Sequence, residues 1–200
     1  MARQQLPAFH AFTIKYSGRV SRITTELVVF SAFDPANPPS SFPTGFLTAG
    51  LWDTGATMSL ITPRVVDELQ LAPSGVTNLN YVGGTGITKT YVVNLRLPNK
   101  VMIGGVLVAE GILADELGAI IGMDVISQSD FAITNVNGQS KMSFRHPSVS
   151  TIDYVTEANR IVYAGINRNA PCPCGAKDSR GRRIKYKNCH GAIANQQHSL

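Results

Sequence analysis

Residues 50–61, GLWDTGATMSLI, set one carboxylate, Asp53, between two apolar runs. An ionised carboxylate there is costly unless it is paired or hydrogen-bonded. The fold must therefore give Asp53 partners while burying Leu51, Trp52, Leu60 and Ile61. A strand that ends in a Thr54-Gly55 turn meets part of this demand, because Asp and Gly satisfy local backbone at turns. An isolated Asp-Thr-Gly would be no more than such a turn, so the surroundings decide.

Those surroundings read as β-structure. Phe12, Ile14 and Tyr16 alternate with polar residues, and residues 23–33 are rich in β-branched and aromatic side chains. Residues 34–44 form a breaker-rich loop with four prolines, and 46–52 is a strand leading straight into Asp53. Thr62 and Pro63 fit the N-cap and first turn of a short helix carrying Val65, Val66, Leu69 and Leu71. Strands are expected at 91–97 and 101–108 around Pro98-Asn99. Another hairpin is expected at 131–136 and 139–144 around Asn137-Gly138. A helix at 152–164, with Val155, Ala158 and Val162 on one face, and a linker at 165–171 complete the pattern.

With 44% apolar and 16% charged residues, the chain is globular, and no run approaches the ~18 apolar residues of a membrane span. The first residues contain no apolar secretory core, which implies a cytoplasmic protein. The charge is uneven. Residues 160–200 carry +7 and the other 159 residues −2, within a net +5. All three cysteines, Cys172, Cys174 and Cys189, lie in that basic tail. This clustering points away from a disulfide framework and toward a metal.

From strand through Asp53-Thr54-Gly55-Ala56-Thr57, "MSLI", a short helix and a Gly-rich hairpin to Ile120-Ile121-Gly122-Met123-Asp124, residues 20–146 resemble the retropepsin-like aspartic proteases. The resemblance implies a mostly β fold, a closed acid-protease barrel with one or two short helices. Aspartic proteolysis needs two carboxylates sharing a proton around a water, and one chain offers a single such loop. Asp124, followed by Val-Ile, and Asp115, beside Glu116, do not stand in a matching setting. The second carboxylate is therefore Asp53 of another copy, and a homodimer acting on a protein or peptide substrate follows.

By the same resemblance, Thr54 locks the two loops together, and Gly55 turns the backbone with its N–H near the carboxylate. Ile121-Gly122 packs beneath the loop. Ala56 replaces the hydroxyl residue of pepsin-like enzymes, which implies action at milder acidity than theirs. Val82, Gly83, Gly84, Thr85 and Gly86 form the candidate flap over substrate. Thr85 stands where flap tips often carry an apolar residue. No cofactor is implied for catalysis.

The segment from Pro171 to Gly191, PCPCGAKDSRGRRIKYKNCHG, resembles the SEC-C motif, a small zinc module. Cys172, Cys174, Cys189 and His190 are then the ligands of a structural zinc. Fourteen residues separate Cys174 from Cys189, more than the motif usually has, and a looped-out basic insert is expected. Expected divisions are a protease domain at 1–148, a helix and linker at 149–170, and the zinc module at 171–200. The basic tail suits a protein partner or a ribosome or RNA partner, with no membrane. Two rival functions remain open: a non-catalytic dimeric peptide-binding scaffold, and an RNA-associated protein acting through the tail.

Overall fold

The structure, a computed structural model, describes residues 10–81, 84–114 and 116–193. The chain divides into two compact units, residues 1–150 and 151–200. The first is almost wholly β. Its strands are β1 (His10–Lys15), β2 (Thr24–Ser31), β3 (Phe46–Trp52), β4 (Leu60–Ile61) and β5 (Gly75–Tyr81). They continue with β6 (Gly84–Arg96), β7 (Met102–Glu110), β8 (Leu117–Ile121), β9 (Asp130–Thr134) and β10 (Lys141–His146). Two short helices, α1 (Pro63–Glu68) and α2 (Met123–Ile126), punctuate them.

Hydrogen bonding runs β2–β3–β8–β4–β7–β6, and β6 pairs back onto β2. Six strands thus close a barrel without free edges, and β5 hangs on β6 as an external hairpin. The pairs β3–β8 and β4–β7 are parallel, and the rest are antiparallel. Leu27, Val29, Tyr91, Val93, Leu95, Val108 and Ile121 fill the interior, each almost fully buried. A separate antiparallel sheet, β1–β10–β9, carries Phe12, Phe131 and Phe144. Trp52 stacks on Phe131 at 5.4 Å and meets Phe144 at 5.0 Å, so both sheets share one core at the end of β3.

Several local expectations change. β2 is apolar on both faces because the proline-rich loop folds back onto it. Phe42 and Phe33 meet the ring of Phe30 edge-on, at 5.3 and 6.1 Å. The strand expected at 91–97 extends back to Gly84 and is bulged at the fully buried Asn94. Its amide donates to Phe33 O at 2.8 Å, and its carbonyl accepts from Gly105 N–H at 2.9 Å.

Thr62 stands at the N-cap of α1, but its hydroxyl makes no capping bond. Asn137 and Gly138 adopt positive φ as a hairpin turn requires, yet β9 and β10 pair only from Thr134 and Lys141 outward. The turn is widened by Ser140. Its N–H donates to Gly18 O, its carbonyl accepts from Tyr16 N–H, and its hydroxyl donates to Asn135.

In the second unit, α3 spans Tyr154–Val162, capped by Asp153, which accepts from the Val155 and Thr156 N–H groups. Val155 and Val162, expected on one face, are 70% and 69% exposed, whereas Thr156 is buried. A final turn, α4 (His190–Ile193), ends the described chain. Among the described residues no helix is long and apolar enough to cross a membrane.

Candidate active site and metal centre

Asp53 directly follows β3, whose last residue, Trp52, pairs in parallel with Ile121 of β8. Its N–H donates to Ile121 O at 3.0 Å. The chain then turns. Gly55 N–H donates to Asp53 Oδ1 at 2.8 Å, and Ala56 N–H to Asp53 O at 3.2 Å. Asp53 is half-buried, while Thr54 and Gly55 are exposed. One carboxylate oxygen is thereby fixed by the turn, and the adjoining Thr54-Gly55 backbone lies at the surface.

The loop rests on residues 121–124. Met123 N–H donates to Ala56 O at 2.8 Å, which makes the second backbone tie besides Asp53 to Ile121. Between these ties Gly122 crosses so closely that an added Cβ would lie 2.8 Å from the Met58 carbonyl carbon and 2.9 Å from Ala56 O. Its φ of −92° is ordinary, so lack of space rather than backbone conformation demands glycine.

Two residues not anticipated from sequence complete this support. Ser59, 1% exposed, donates its hydroxyl to Asp124 Oδ1 at 2.8 Å and its N–H to Oδ2 at 3.0 Å. The same hydroxyl accepts from Gly122 N–H at 3.0 Å. Asp124 is thus no second active carboxylate but a clamp from α2 onto the end of the Asp53 loop. A polar Ser59 between Met58 and Leu60, followed by an Asp two residues beyond Gly122, was the available signal.

Val82 and Gly83 lie outside the described residues, as does Asp115. Gly84, Thr85 and Gly86 open β6, opposite Tyr81, Asn80 and Leu79 of β5. Gly84 has φ +140°, a conformation L-residues rarely adopt. A cavity of about 260 Å³ lies elsewhere, lined by Phe46, Thr48, Thr62, Arg64, Leu117 and neighbours, at the opposite end of β3 from Asp53. It contains none of the sequence-predicted site residues.

In the tail, Cys172, Cys174, Cys189 and His190 converge, with all four ligand atoms within 4.8 Å of one another. Cys172 Sγ is 3.3 Å from His190 Nδ1 and 3.4 Å from Cys174 Sγ. Cys189 Sγ is 3.6 Å from Cys174 Sγ and 3.4 Å from His190 Nδ1. A tetrahedral ion with metal–sulfur bonds of about 2.3 Å needs ligand separations of about 3.8 Å, so the cluster nearly fits one without rearrangement. The sulfurs are not joined as disulfides.

Burial resists ionisation of Cys172, yet the Cys174 backbone N–H and the His190 ring hold its thiol down at about 6. The Cys174 thiol, burial and Cys172 push Cys189 up to about 11. Cys172 and Cys189 are thus pushed in opposite directions, and a cation held among the ligands would favour the thiolate of each. The residues thus fit a metal. The basic insert stands out as the tip of a hairpin, closed by Asp178 N–H donating to Arg182 O, and leaves the four ligands together.

No family model matches the chain, and no curated protein matches it. Similar solved structures include the EIAV protease complexed with the inhibitor HBY-793, at 23% identity and TM-score 0.38, covering 53% of this chain and 86% of that one. A retropepsin-like aspartic protease from Rickettsia conorii is 13% identical with TM-score 0.40, covering 69% and 95%. The retroviral protease-like domain of Ddi1 from Leishmania major is 16% identical with TM-score 0.30, covering 48% and 83%. The structural neighbours are thus retropepsin-like aspartic proteases, matched over part of this chain at low overlap.

Proposed function

We propose that the chain is an aspartic endopeptidase active as a homodimer, each copy giving its Asp53-Thr54-Gly55 loop to one site on the two-fold axis. The observation that carries this reading is the Asp53 loop itself. Its carboxylate is held by Gly55 N–H, and the loop is tied by two backbone bonds and a glycine crossing to residues 121–123.

The chemistry runs through the two Asp53 side chains, one ionised and one protonated. The ionised one takes a proton from the water as its oxygen bonds to the peptide carbonyl carbon. The protonated one gives its proton to the carbonyl oxygen. Proton return to the leaving amine then lets the carbon–nitrogen bond break. Thr54 braces the loops across the axis, and Gly84, Thr85 and Gly86 at the start of β6 lie along the substrate backbone.

In the tail, Cys172, Cys174, Cys189 and His190 hold a structural zinc, and the module recruits substrates or partners. Thiols kept free for a metal suit a reducing, cytoplasmic compartment.

The test is cleavage of a random peptide library by the wild-type chain and by Asp53→Asn. The variant is expected to fall to background while keeping its circular-dichroism spectrum. Cleavage by Asp53→Asn at the wild-type rate would assign the chemistry to another residue and end the proposal.

A further inference from the structure

Residues 175–185 form a built hairpin. Asp178 Oδ1 accepts from the N–H groups of Arg180 and Arg182, each at 2.9 Å, and Oδ2 accepts from Arg182 Nε at 3.0 Å. Asp178 N–H donates to Arg182 O, and Gly181 closes the turn at φ +75°. The two legs are bridged at Lys177–Arg183, and the return leg meets Pro171 at Lys185.

Antiparallel partners point to the same face, and so do residues two apart on one leg. Lys177, Arg183 and Lys185 therefore form one row, with Arg180 at the tip, and all four are exposed. Like charges directly opposite one another destabilise a strand pair. The single carboxylate of residues 165–193, Asp178, is engaged by its own turn. The hairpin thus holds cations together with no anion of its own to offset them.

We propose that this row binds the phosphodiester backbone of a nucleic acid single strand. The proposal rests on the tail being a recruiting module and names its partner. A protein partner is matched by an interface with an aromatic or apolar centre and few lysines. Between residues 163 and 192 the described chain exposes no large apolar side chain; those of the second unit, Val155, Ile161 and Val162 among them, belong to the segment before the hairpin and not to its charged row. A membrane-surface segment needs such side chains to insert. What remains is recognition by charge alone, as phosphates are recognised. A hairpin presents one row, the width of one strand.

The experiment titrates the full chain into short fluorescent single-stranded RNA and DNA between 50 and 200 mM salt, and into polyglutamate and phosphatidylserine vesicles. Wild type is expected to bind the nucleic acids in preference to the other two. The triple variant Lys177→Gln, Arg183→Gln, Lys185→Gln should lose at least about tenfold in affinity. Its slope of log K on log salt should fall by about 2, since each phosphate contact on a single strand contributes about 0.7. RNA against DNA then separates the two sources of the backbone.

An unchanged affinity and slope, or tighter binding to polyglutamate or vesicles, overturns the proposal. Zinc content is measured on the same samples. Full zinc without nucleic acid binding rejects this partner and leaves the module, whereas absence of metal rejects the module itself.

Discussion

At the scale of single residues, the Ser59–Asp124 pair has more influence than its chemistry suggests. Removing the Asp124 carboxylate orphans a buried N–H and a buried hydroxyl at the end of the Asp53 loop, which costs about 1–3 kcal/mol for each group left unpaired. Asp124→Ala should therefore lower the melting temperature by several degrees and reduce peptide cleavage more than tenfold, with Asp124→Asn intermediate. Thermal unfolding and initial rates measured together check this. Wild-type values for Asp124→Ala would show that the clamp is dispensable.

The packing of Ile121-Gly122 beneath the Asp53-Thr54-Gly55 turn was anticipated only through the family resemblance, because neither stretch announces the other by spacing. Ser59 and Asp124 were not, since an ordinary Ser and Asp lying 65 positions apart announce no contact until the fold brings them together.

At the scale of elements, the exit from β10 is tied to β9. Asp130 accepts from the Ser148 hydroxyl at 2.6 Å, from Val149 N–H at 3.1 Å and from Arg145. The Ser148 bond above all, then Val149 and Arg145, hold the Asp130 carboxyl well below the usual carboxylate range, against the opposing effect of burial. A depressed folded-state value means that the stabilisation is complete above the unfolded value of about 4 and is lost as pH falls below it. Asp130→Asn should cost about 2 kcal/mol at neutral pH, on the scale of hydrogen bonds to a charged group. The difference from wild type should shrink in strong acid. Urea unfolding at neutral and acidic pH measures both, and a difference independent of pH would refute the account.

Strand β3 and helix α1 followed from their apolar spacing and from Pro63. The widened turn at Asn137-Gly138 did not, because it is set by Ser140 bonding to Gly18 and Tyr16, a contact made only in three dimensions. The exposed apolar side chains of α3 show the same limit from the other side: helical spacing identified the helix but not which face would be covered.

At the scale of the whole molecule, the near-neutral β-body and the basic tail fall into separate compact units. A chain ending at Ser150 should fold, dimerise and cleave short peptides at close to the wild-type rate. Chelation of the full chain should unfold only the tail, since so small a module has little core without its metal. Loss of peptide cleavage by a folded, dimeric truncated chain would make the tail part of the catalytic unit. Specific activity should also fall on dilution through the dimer dissociation constant, and a monomer that cleaves undiminished would rule out a site shared between copies.

The barrel closes through β4, a strand of two residues placed just after the Asp53 loop. Its neighbourhood is knitted on both sides: Ala109 N–H donates to Ser59 O, Gly111 N–H to Ile61 O, and Thr62 N–H to Gly118 O. Any opening of the loop that drags β4 with it breaks its ladders to both β7 and β8. In deuterated solvent, the amide protons of Ala109, Gly111 and Thr62 should therefore exchange only through global unfolding. They would be among the slowest in the chain, so that a surface loop beside Asp53 is as long-lived as the core.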